Sequence, residues 1–301
     1  MSPKALTATL CLSLVGLFGL AACGAAAPAE PVAVLPDAPD PTPFTRAYSL
    51  TESPDGRLRV FAQEARDDTN LFLMRRLEEG GWSAPEELDF PHSSRITSPA
   101  FDPTGAYLYY ASDEPIAELS GRAELNIWRV ALTGDEFGVP EYLGGEINTG
   151  AIEKVGAIAP DGTLYFVTDH PRSGTGGLDI MRAVFDPALG LWQVSQMPEG
   201  FNDFRTDDQF ALTPDGMRAF FYSHRSPKMG VVDIWTSVRT EDDDWSLPVN
   251  LGAPVNSAEI DFGPGVSADG RTLFFSREGR LMEVPMAAAL KGEGWTGDEA
   301  T

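Results

Sequence analysis

The sequence predicts an all-β fold, a single β-propeller of four-stranded antiparallel blades, and three observations support this prediction. A turn phrase, Pro-Asp-Gly or a close variant of it, recurs five times along the chain. An apolar strand follows each turn. Each unit has room for about four short strands, and no segment shows a sustained helical period. Four-stranded sheets that repeat radially are the blades of a propeller.

The turn phrase sets the period of the repeat. Asp-Gly is a strong signal for a hairpin turn, because glycine adopts positive φ without steric cost and Asp bonds to nearby backbone. In the second unit Thr104 replaces the Asp. Successive turns lie 49, 57, 54 and 54 residues apart, since the turn glycines are Gly56, Gly105, Gly162, Gly216 and Gly270.

The strand after each turn is apolar or aromatic on both faces. The fourth and fifth residues past the turn glycine have this character in all five units, as in Phe220 and Phe221. Successive residues of a strand point to opposite faces of the sheet. Two adjacent positions of this kind therefore predict a strand covered on both sides, as in a sheet packed between two neighbouring sheets.

The later strands of the units carry phrases that resemble a known family. LDIMR at 178–182, VDIW at 232–235, WSLPVNLG at 245–252 and SADGRTLFFS at 267–276 resemble the WD-like repeats of TolB-type periplasmic propellers. The resemblance extends over residues 46–290 and is strongest in units three to five. It implies a propeller that acts as a periplasmic scaffold, although a fold by itself does not identify a partner.

Five turns predict five blades, and the resemblance leaves six open because TolB-type propellers commonly have six. The last unit has only six residues after Trp295, too few for a full outer strand. We expect the stretch from Pro43 to Arg46 to supply that strand and to close the ring, which removes exposed sheet edges. The propeller domain is therefore expected to span residues 44–301.

The N-terminus has the order of an export signal. Lys4 is the only charge among the first 23 residues, and an apolar run extends from Ala5 to Ala22. The run ends in LAAC at 20–23, which resembles the lipobox of bacterial lipoproteins, where the chain is cut before the cysteine and the cysteine is lipidated. Residues 1–22 are thus expected to be a signal peptide and Cys23 the lipid attachment site. A plain signal peptide and an uncleaved anchor stay open as alternatives.

Residues 23–43 are rich in Pro and Ala and cannot build a core. We expect a stiff, extended tether there, between the lipid and the propeller. Gly24 follows the cysteine, whereas Asp at this place favours inner-membrane retention in the lipoproteins that the signal resembles. The expected location is therefore the cell envelope, on the periplasmic side of the outer membrane.

The charge of the chain limits its partners. Only 22 Lys and Arg stand against 45 Asp and Glu, which gives a net charge of −23. Binding to nucleic acid, or adsorption to anionic lipid, requires a basic face. No nucleic acid is expected as a partner, and membrane contact is expected through the lipid anchor only. The oligomeric state does not follow from the sequence.

The sequence offers little for catalysis. Both cysteines, Cys11 and Cys23, lie in the first 23 residues, so the remaining body has neither a thiolate nucleophile nor a Cys-based zinc site. It has no Gly-x-Ser-x-Gly elbow, and the histidines His92, His170 and His224 form no His-x-x-x-His pair. We predict no enzyme activity and no cofactor. Ca²⁺ stays open as an ion that stabilises the propeller.

One constellation is a candidate ligand-binding site. Ala47, Ile96, Glu153, Asp207 and Asp261 lie nine residues before the turn glycines, so three consecutive units carry a carboxylate there. We expect this position just before the innermost strand, near the central channel. Three interpretations stay open: loop capping with bonds between blades, an acidic channel mouth that binds a cation or a basic peptide, and a catalytic set like that of five-bladed arabinanase-type glycosidases.

These features together predict a non-catalytic, TolB-like lipoprotein of the cell envelope. Its propeller is expected to act as a scaffold that binds an envelope protein or peptide. The alternative is a carbohydrate-binding or glycoside-hydrolase-like propeller that uses Glu153, Asp207 and Asp261.

Overall fold

The structure is a computed structural model and describes residues 29–35, 45–116, 124–174, 176–242 and 244–297. The predicted signal peptide, Cys23 and most of the predicted tether lie outside these residues. Five four-stranded antiparallel sheets follow one another in the part that is described. The predicted all-β propeller is confirmed, and it has five blades rather than six.

The strands of each blade follow the chain from the channel outward. Blade 1 contains β2 (Ala47–Glu52), β3 (Leu58–Ala65), β4 (Asp68–Arg75) and β5 (Glu86–Glu87). Blade 2 contains β6 (Ile96–Phe101), β7 (Tyr107–Ser112), β8 (Asn126–Thr133) and β9 (Glu136–Tyr142). Blade 3 contains β10 (Glu153–Ile158), β11 (Leu164–Thr168), β12 (Asp179–Asp186) and β13 (Leu191–Gln196).

The last two blades complete the ring. Blade 4 contains β14 (Asp207–Leu212), β15 (Arg218–Ser223), β16 (Asp233–Val238) and β17 (Val249–Asn250). Blade 5 contains β18 (Asp261–Val266), β19 (Thr272–Arg277) and β20 (Arg280–Pro285), and its fourth strand is β1 (Val32–Ala33). The innermost strands β2, β6, β10, β14 and β18 contact one another in sequence order and then β18 contacts β2, so they surround the central channel.

The predicted turns connect the first and second strands of every blade. The turn glycines all have positive φ, from 69° at Gly56 to 86° at Gly162. The side chain before the glycine caps the turn: Asp215 Oδ1 accepts from the N–H of Met217 at 3.0 Å. Thr104, which replaces the Asp in blade 2, accepts from Ala106 N–H at 3.2 Å with its hydroxyl oxygen. A hydroxyl group thus performs the same local function as the carboxylate.

The strands after the turns are buried on both faces, as predicted. Phe220 and Phe221 of β15 are adjacent, and neither is exposed. Phe220 packs with Phe275 of blade 5, whereas Phe221 packs with Tyr165 of blade 3. Burial of one phenylalanine side chain contributes about 1.5–3 kcal/mol. The second strand of this blade therefore links both neighbouring blades into one core.

The ring is closed by a different segment from the one predicted. Val32 and Ala33 pair with Glu283 and Met282 of β20, and Val34 N–H donates to Leu281 O at 2.9 Å. The prediction for 43–46 was wrong: Pro43 and Phe44 lie outside the described residues, and Arg46 O accepts from Glu64 N–H at 2.8 Å inside blade 1.

Chain length explains this correction. Four strands at a spacing of about 4.8 Å place the outer edge of a blade about 14 Å from its inner strand. Arg46 directly precedes β2 at the channel, so it cannot also lie at an outer edge. The chain between Leu35 and Thr45 has enough residues to cross this distance. The described part of the predicted tether, 29–35, thus contributes a strand to blade 5.

A short helix, α1 (Met286–Ala289), follows β20 and is continued by a 3₁₀ turn at Leu290–Gly292. Ala288 and Ala289 are buried against Leu251 and Val255 of blade 4. The C-terminal segment therefore packs between the last two blades. Among the described residues, no helix has the length and apolar character needed to cross a membrane.

Candidate functional site

The three predicted carboxylates occupy equivalent places in their blades. Glu153, Asp207 and Asp261 are the first residues of the innermost strands β10, β14 and β18. None of them is exposed to solvent. Their backbone belongs to the strands that surround the channel, but their side chains are not accessible to a ligand in solution.

Each of these carboxylates caps the loop that leads into its own strand. The acceptor oxygen of Glu153 binds the N–H of Thr149 at 3.0 Å. Asp207 accepts from Asp203 N–H at 2.6 Å, and Asp261 accepts from Ser257 N–H at 2.8 Å. The donor lies four residues earlier in every case, so one local motif explains why a carboxylate recurs in blades 3 to 5.

An asparagine just before each capped loop completes the motif. Asn148 Oδ1 accepts from Ile127 N–H at 2.7 Å, and Asn148 Nδ2 donates to Ile127 O at 3.0 Å. Asn202 and Asn256 hold Ile180 and Ile234 in the same way. Asn148, Asn202 and Asn256 are spaced 54 residues apart, and this spacing is the sequence signal that identifies them as one motif.

Two of the carboxylates also hold an arginine, which is buried in the case of Arg225 and partly buried in the case of Arg277. Arg225 Nη2 donates to Asp207 Oδ1 at 2.7 Å, and Arg277 Nε donates to Asp261 Oδ1 at 2.7 Å. Burial raises the pKa of Glu153, Asp207 and Asp261, while their hydrogen bonds oppose that rise. Every contact lies within the blade or its entry loop, which favours the interpretation of these residues as structural caps.

The side chains that face the channel mouth are those one residue further along. Tyr48, Thr97, Lys154, Asp208 and Phe262 are the second residues of the five innermost strands. All five line one cavity of about 430 Å³ at the channel mouth. Side chains alternate between the two faces of a strand, so a shift of one residue moves a group from the loop to the channel.

A charged centre lies in this mouth. The Asp208 carboxylate is bound by the Lys154 ammonium group, by Tyr222 Oη at 2.9 Å and by Gln209 N–H at 2.7 Å. Burial and the adjacent Asp208 charge raise the pKa of Tyr222, so its hydroxyl stays protonated and donates. An ammonium group has three donors, and Asp208 takes one of them. Lys154 therefore retains donors for a ligand that enters the mouth.

An aromatic wall lies beside the charged centre. The rings of Tyr48 and Tyr222 lie 5.7 and 6.4 Å from the ring of Phe262, between centroids. His224 contacts Tyr222 at 6.1 Å, and burial lowers the pKa of His224, so its ring is uncharged at neutral pH. The mouth thus combines apolar ring surface with a few fixed polar groups, the usual composition of a ligand site.

The remaining ionic groups of the mouth are paired. Arg46 Nε lies 2.8 Å from Glu64 Oε2, and Arg95 lies within 4 Å of both Asp113 and Glu124. Within the described ranges, no group of three or more His, Cys, Asp and Glu side chains is placed to hold a metal ion.

Comparisons with known proteins place this architecture among solved propellers. No protein-family model and no curated protein sequence matches the chain. Solved structures do match. The α-L-arabinofuranosidase from Lactobacillus brevis is similar with a TM-score of 0.50 and 14% identity, over 80% of this chain and 91% of that one.

A crystal structure of TolB from Acinetobacter baumannii is similar with a TM-score of 0.47 and 14% identity, over 80% of this chain. The match covers 54% of the TolB structure, so this chain spans about half of its length. A thermostable family-43 glycoside hydrolase gives a TM-score of 0.49 at 15% identity, over 80% of this chain and 89% of that one. At such identities these similarities show the fold alone.

Proposed function

We propose that the protein is a non-catalytic lipoprotein of the cell envelope whose propeller binds a segment of an envelope protein in the channel mouth. The observation that carries this proposal is the cavity formed by the second residues of all five innermost strands. It combines the ring of Phe262 with the Lys154 and Asp208 pair. A concave mouth of this size fits a loop, a terminus or a side chain of a partner.

The contacts of the two carboxylates in the mouth support a binding function rather than hydrolysis. A glycoside hydrolase of the usual type needs two carboxyl groups that face the substrate, one as an acid and one as a base or nucleophile. Asp208 is held by three donors, and Glu64, the other carboxylate of the mouth, is held by Arg46. Both carboxylates are thus engaged by cationic side chains of the protein itself.

The proposed location rests on the sequence. The apolar run that ends in LAAC at 20–23 supports lipid attachment at Cys23, and Gly24 supports the outer membrane, on its periplasmic side. The lipid would be the only contact with the membrane, because a chain with a net charge of −23 is repelled by anionic lipid.

Site-specific photo-crosslinking tests the proposal. A benzoylphenylalanine replaces Phe262 in the mouth in one strain and Phe185, which is 46% exposed on the outer rim of blade 3, in a control strain. After irradiation of intact cells, adducts are purified and identified by mass spectrometry. We expect one envelope protein linked to position 262 and not to position 185. Adducts from position 185 alone, or from neither position, contradict the proposal.

A carbohydrate ligand is the second candidate, because the face of an aromatic ring beside hydrogen-bonding groups also suits a sugar ring. Phe262 and Tyr222 provide such a face next to Lys154. Titration of the full chain in detergent with arabinose and arabinan oligosaccharides distinguishes this candidate. The carbohydrate candidate would be established over the protein-binding proposal by two results together. The sugar binds saturably and Phe262→Ala removes this binding, and no protein adduct forms at position 262.

A further inference from the structure

The central channel has a second opening, at the end opposite the mouth. Every innermost strand starts at the mouth and ends in one of the five turns, so the turns surround this opening. We call the surface that they form the turn face. A cavity of about 170 Å³ lies here, which we call the turn-face cavity, and turn residues of all five blades line it: Pro54, Pro103, Pro160, Pro214 and Ala268.

The wall of the turn-face cavity is formed by the last residues of the five innermost strands, Glu52, Phe101, Ile158, Leu212 and Val266. Four of the five are apolar. Ile158, Leu212 and Val266 are only partly buried, so each keeps apolar surface in contact with solvent. Uncovered apolar side chains that together line a concave surface are typical of a binding site.

The prolines of the turns have a structural reason to recur. A Cβ atom at Gly105 would lie 3.6 Å from Pro54 Cδ, and one at Gly270 would lie 3.4 Å from Pro214 Cδ. These prolines thus pack on the turn glycine of the next blade, and their recurrence is not evidence of a ligand. Pro54 and Pro214 are nevertheless exposed, so their rings extend the apolar surface of the cavity outward.

The carboxylates that line the cavity have partners within the protein. Glu52 Oε2 accepts from Arg59 Nε at 2.8 Å, and Glu52 Oε1 accepts from Ala268 N–H at 3.1 Å. Asp102 Oδ1 accepts from Tyr107 N–H at 2.8 Å. The interaction that remains for a ligand inside the cavity is therefore mainly apolar contact.

The volume of the cavity limits the size of the group that enters. A cavity of about 150 Å³ with apolar walls binds one molecule of benzene. The turn-face cavity, at about 170 Å³, is of the same size. It therefore has room for one phenyl ring.

The turn face around the cavity is acidic. The turns 53–57, 102–106, 159–163, 213–217 and 267–271 contain five Asp and two Arg, so negative charges exceed positive ones by three. No Lys, Arg or His is among the described residues that line the cavity. Hydrogen bonds from the hydroxyls of Thr213 and Ser267 lower the pKa values of Asp215 and Asp269, so both exposed carboxylates are charged at neutral pH. A cationic group beside the phenyl ring is therefore attracted to this face.

We propose that the turn-face cavity binds a phenylalanine side chain of a partner protein, in a segment that carries Lys or Arg next to the phenylalanine. The ring enters between Ile158, Leu212 and Val266, and the cation lies at the rim beside Asp215 and Asp269. This site is separate from the mouth. It gives the propeller a second interface, which does not depend on the proposed function.

Three peptides test the proposal by ¹³C-methyl NMR of the full chain in lipid nanodiscs: N-acetyl-Phe-Lys amide, N-acetyl-Phe-Glu amide and N-acetyl-Ser-Lys amide. The readout is the methyl signals of Ile158, Leu212 and Val266, assigned by substitution. We expect the Phe-Lys peptide to shift these signals at millimolar concentration. The Ser-Lys peptide should bind at least about tenfold more weakly, because it buries no ring, and the Phe-Glu peptide about threefold more weakly, because its charge is repelled.

Two results would overturn the proposal directly. Equal affinity for the Phe-Lys and Ser-Lys peptides would show that the cavity does not recognise the ring, and equal affinity for Phe-Lys and Phe-Glu would show that the acidic turn face does not select a cation. Hexyl glucoside presents a short alkyl chain on a neutral head group. Tighter binding of hexyl glucoside than of the Phe-Lys peptide would assign the cavity to a lipid chain instead.

The double variant Asp215→Asn with Asp269→Asn tests the role of charge without removing the turns, since Asn-Gly also forms them. We expect the preference for Phe-Lys over Phe-Glu to fall by about threefold while the melting temperature changes little. Glu146→Gln with Glu199→Gln removes the same charge from exposed loops that lead into β10 and β14. This control should keep the preference, and an equal fall in both double variants would contradict a local effect of the turn face.

Val266→Thr tests the apolar wall, because it replaces one methyl group by a hydroxyl of similar shape. We expect about threefold weaker binding of the Phe-Lys peptide. Val184→Thr is the matched control, on the outer side of blade 3, where Val184 is 50% exposed. Equal affinities of the two variants would contradict contact between the ring and Val266.

The NMR signals also distinguish this inference from the proposed function. A Phe-Lys peptide that shifts the signals of Lys154 and Phe262, and not those of Ile158 and Leu212, would occupy the mouth, and the turn-face proposal would fail alone. If the peptide binds at the turn face while position 262 yields no adduct, the proposed function fails and the second interface stands.

Discussion

The first and second residues of the innermost strands present a direct comparison. Asp207 and Asp208 are neighbours in the chain, and both are buried and paired with a cation. The Asp207 carboxylate lies under its entry loop and holds Arg225, whereas the Asp208 carboxylate lines the mouth and holds Lys154. One step along a pleated strand thus separates a carboxylate that caps an entry loop from a carboxylate that lines the channel mouth.

The largest expected effect on stability comes from a substitution of Asp207, at the first position of its innermost strand. Asp207→Asn leaves the Arg225 guanidinium, which is only 7% exposed, without its carboxylate. Loss of one partner from a buried ion pair costs about 3–5 kcal/mol. We expect the free energy of unfolding to fall by that amount, as measured by urea unfolding followed through tryptophan fluorescence.

Asp203→Asn is the matched control in the same loop. Asp203 pairs with Arg205 at 3.2 Å, but the Arg205 side chain is 39% exposed. Exposed pairs contribute about 0–1 kcal/mol, so this variant should unfold almost like the unmodified protein. Equal losses from both substitutions would show that Asp207 is no more structural than its exposed neighbour.

The fold could be predicted from the sequence because its determinants repeat. Asp-Gly turns recur in four units and a Thr-Gly turn in the second, paired apolar positions recur in all five, and five turns correspond to five blades. The closing strand could not be predicted in the same way, since Val32–Ala33 has only two residues and carries no repeat signal. Its position is determined by the free edge of β20, which is a tertiary feature.

The residues that line the channel mouth, one position after the repeated carboxylates, could not be predicted for a related reason. The carboxylates repeat at one position of the sequence because each of them caps an entry loop through the same hydrogen bond in blades 3 to 5. The channel-facing second positions carry a different residue in each blade: Tyr48, Thr97, Lys154, Asp208 and Phe262. The repeat in the sequence therefore identifies the loop caps, whereas the residues that line the mouth differ between blades and give no repeat signal.

The next largest effect concerns how stability depends on pH, and it is expected to differ between blades 3 and 4. Asp179 and Asp233 begin the third strands of these blades. Burial raises the pKa of Asp179 to about 6, partly opposed by a hydrogen bond from Ser173, and its ordinary value is 3.8. As the pH rises from about 4 to about 6, the unfolded chain ionises here before the folded one, so the folded state loses about 3 kcal/mol of stability.

Asp179→Asn removes this dependence. We expect the variant to match the unmodified protein at pH 4 and to be more stable above pH 6, by about 2–3 kcal/mol in urea unfolding. Asp233→Asn is the matched control. Asp233 accepts from Met229 N–H at 2.6 Å, Gly230 N–H at 3.0 Å and Asn250 Nδ2 at 2.7 Å, so its loss should destabilise the protein at pH 8. A gain in stability from both variants would contradict the predicted difference between Asp179 and Asp233.

The smallest effect belongs to the mouth. Tyr222→Phe removes the hydroxyl that donates to Asp208 at 2.9 Å, while Lys154 and Gln209 N–H continue to bind the carboxylate. A hydrogen bond to a charged group contributes about 1.5–3 kcal/mol, and because two donors remain we expect a loss of about 1–2 kcal/mol in the free energy of unfolding. A double-mutant cycle with Asp208→Asn measures the coupling directly. Coupling near zero would mean that the hydroxyl does not hold Asp208. Coupling above about 1 kcal/mol, with the crosslink from position 262 reduced, would mean that the fixed position of Asp208 contributes to binding as well as to folding.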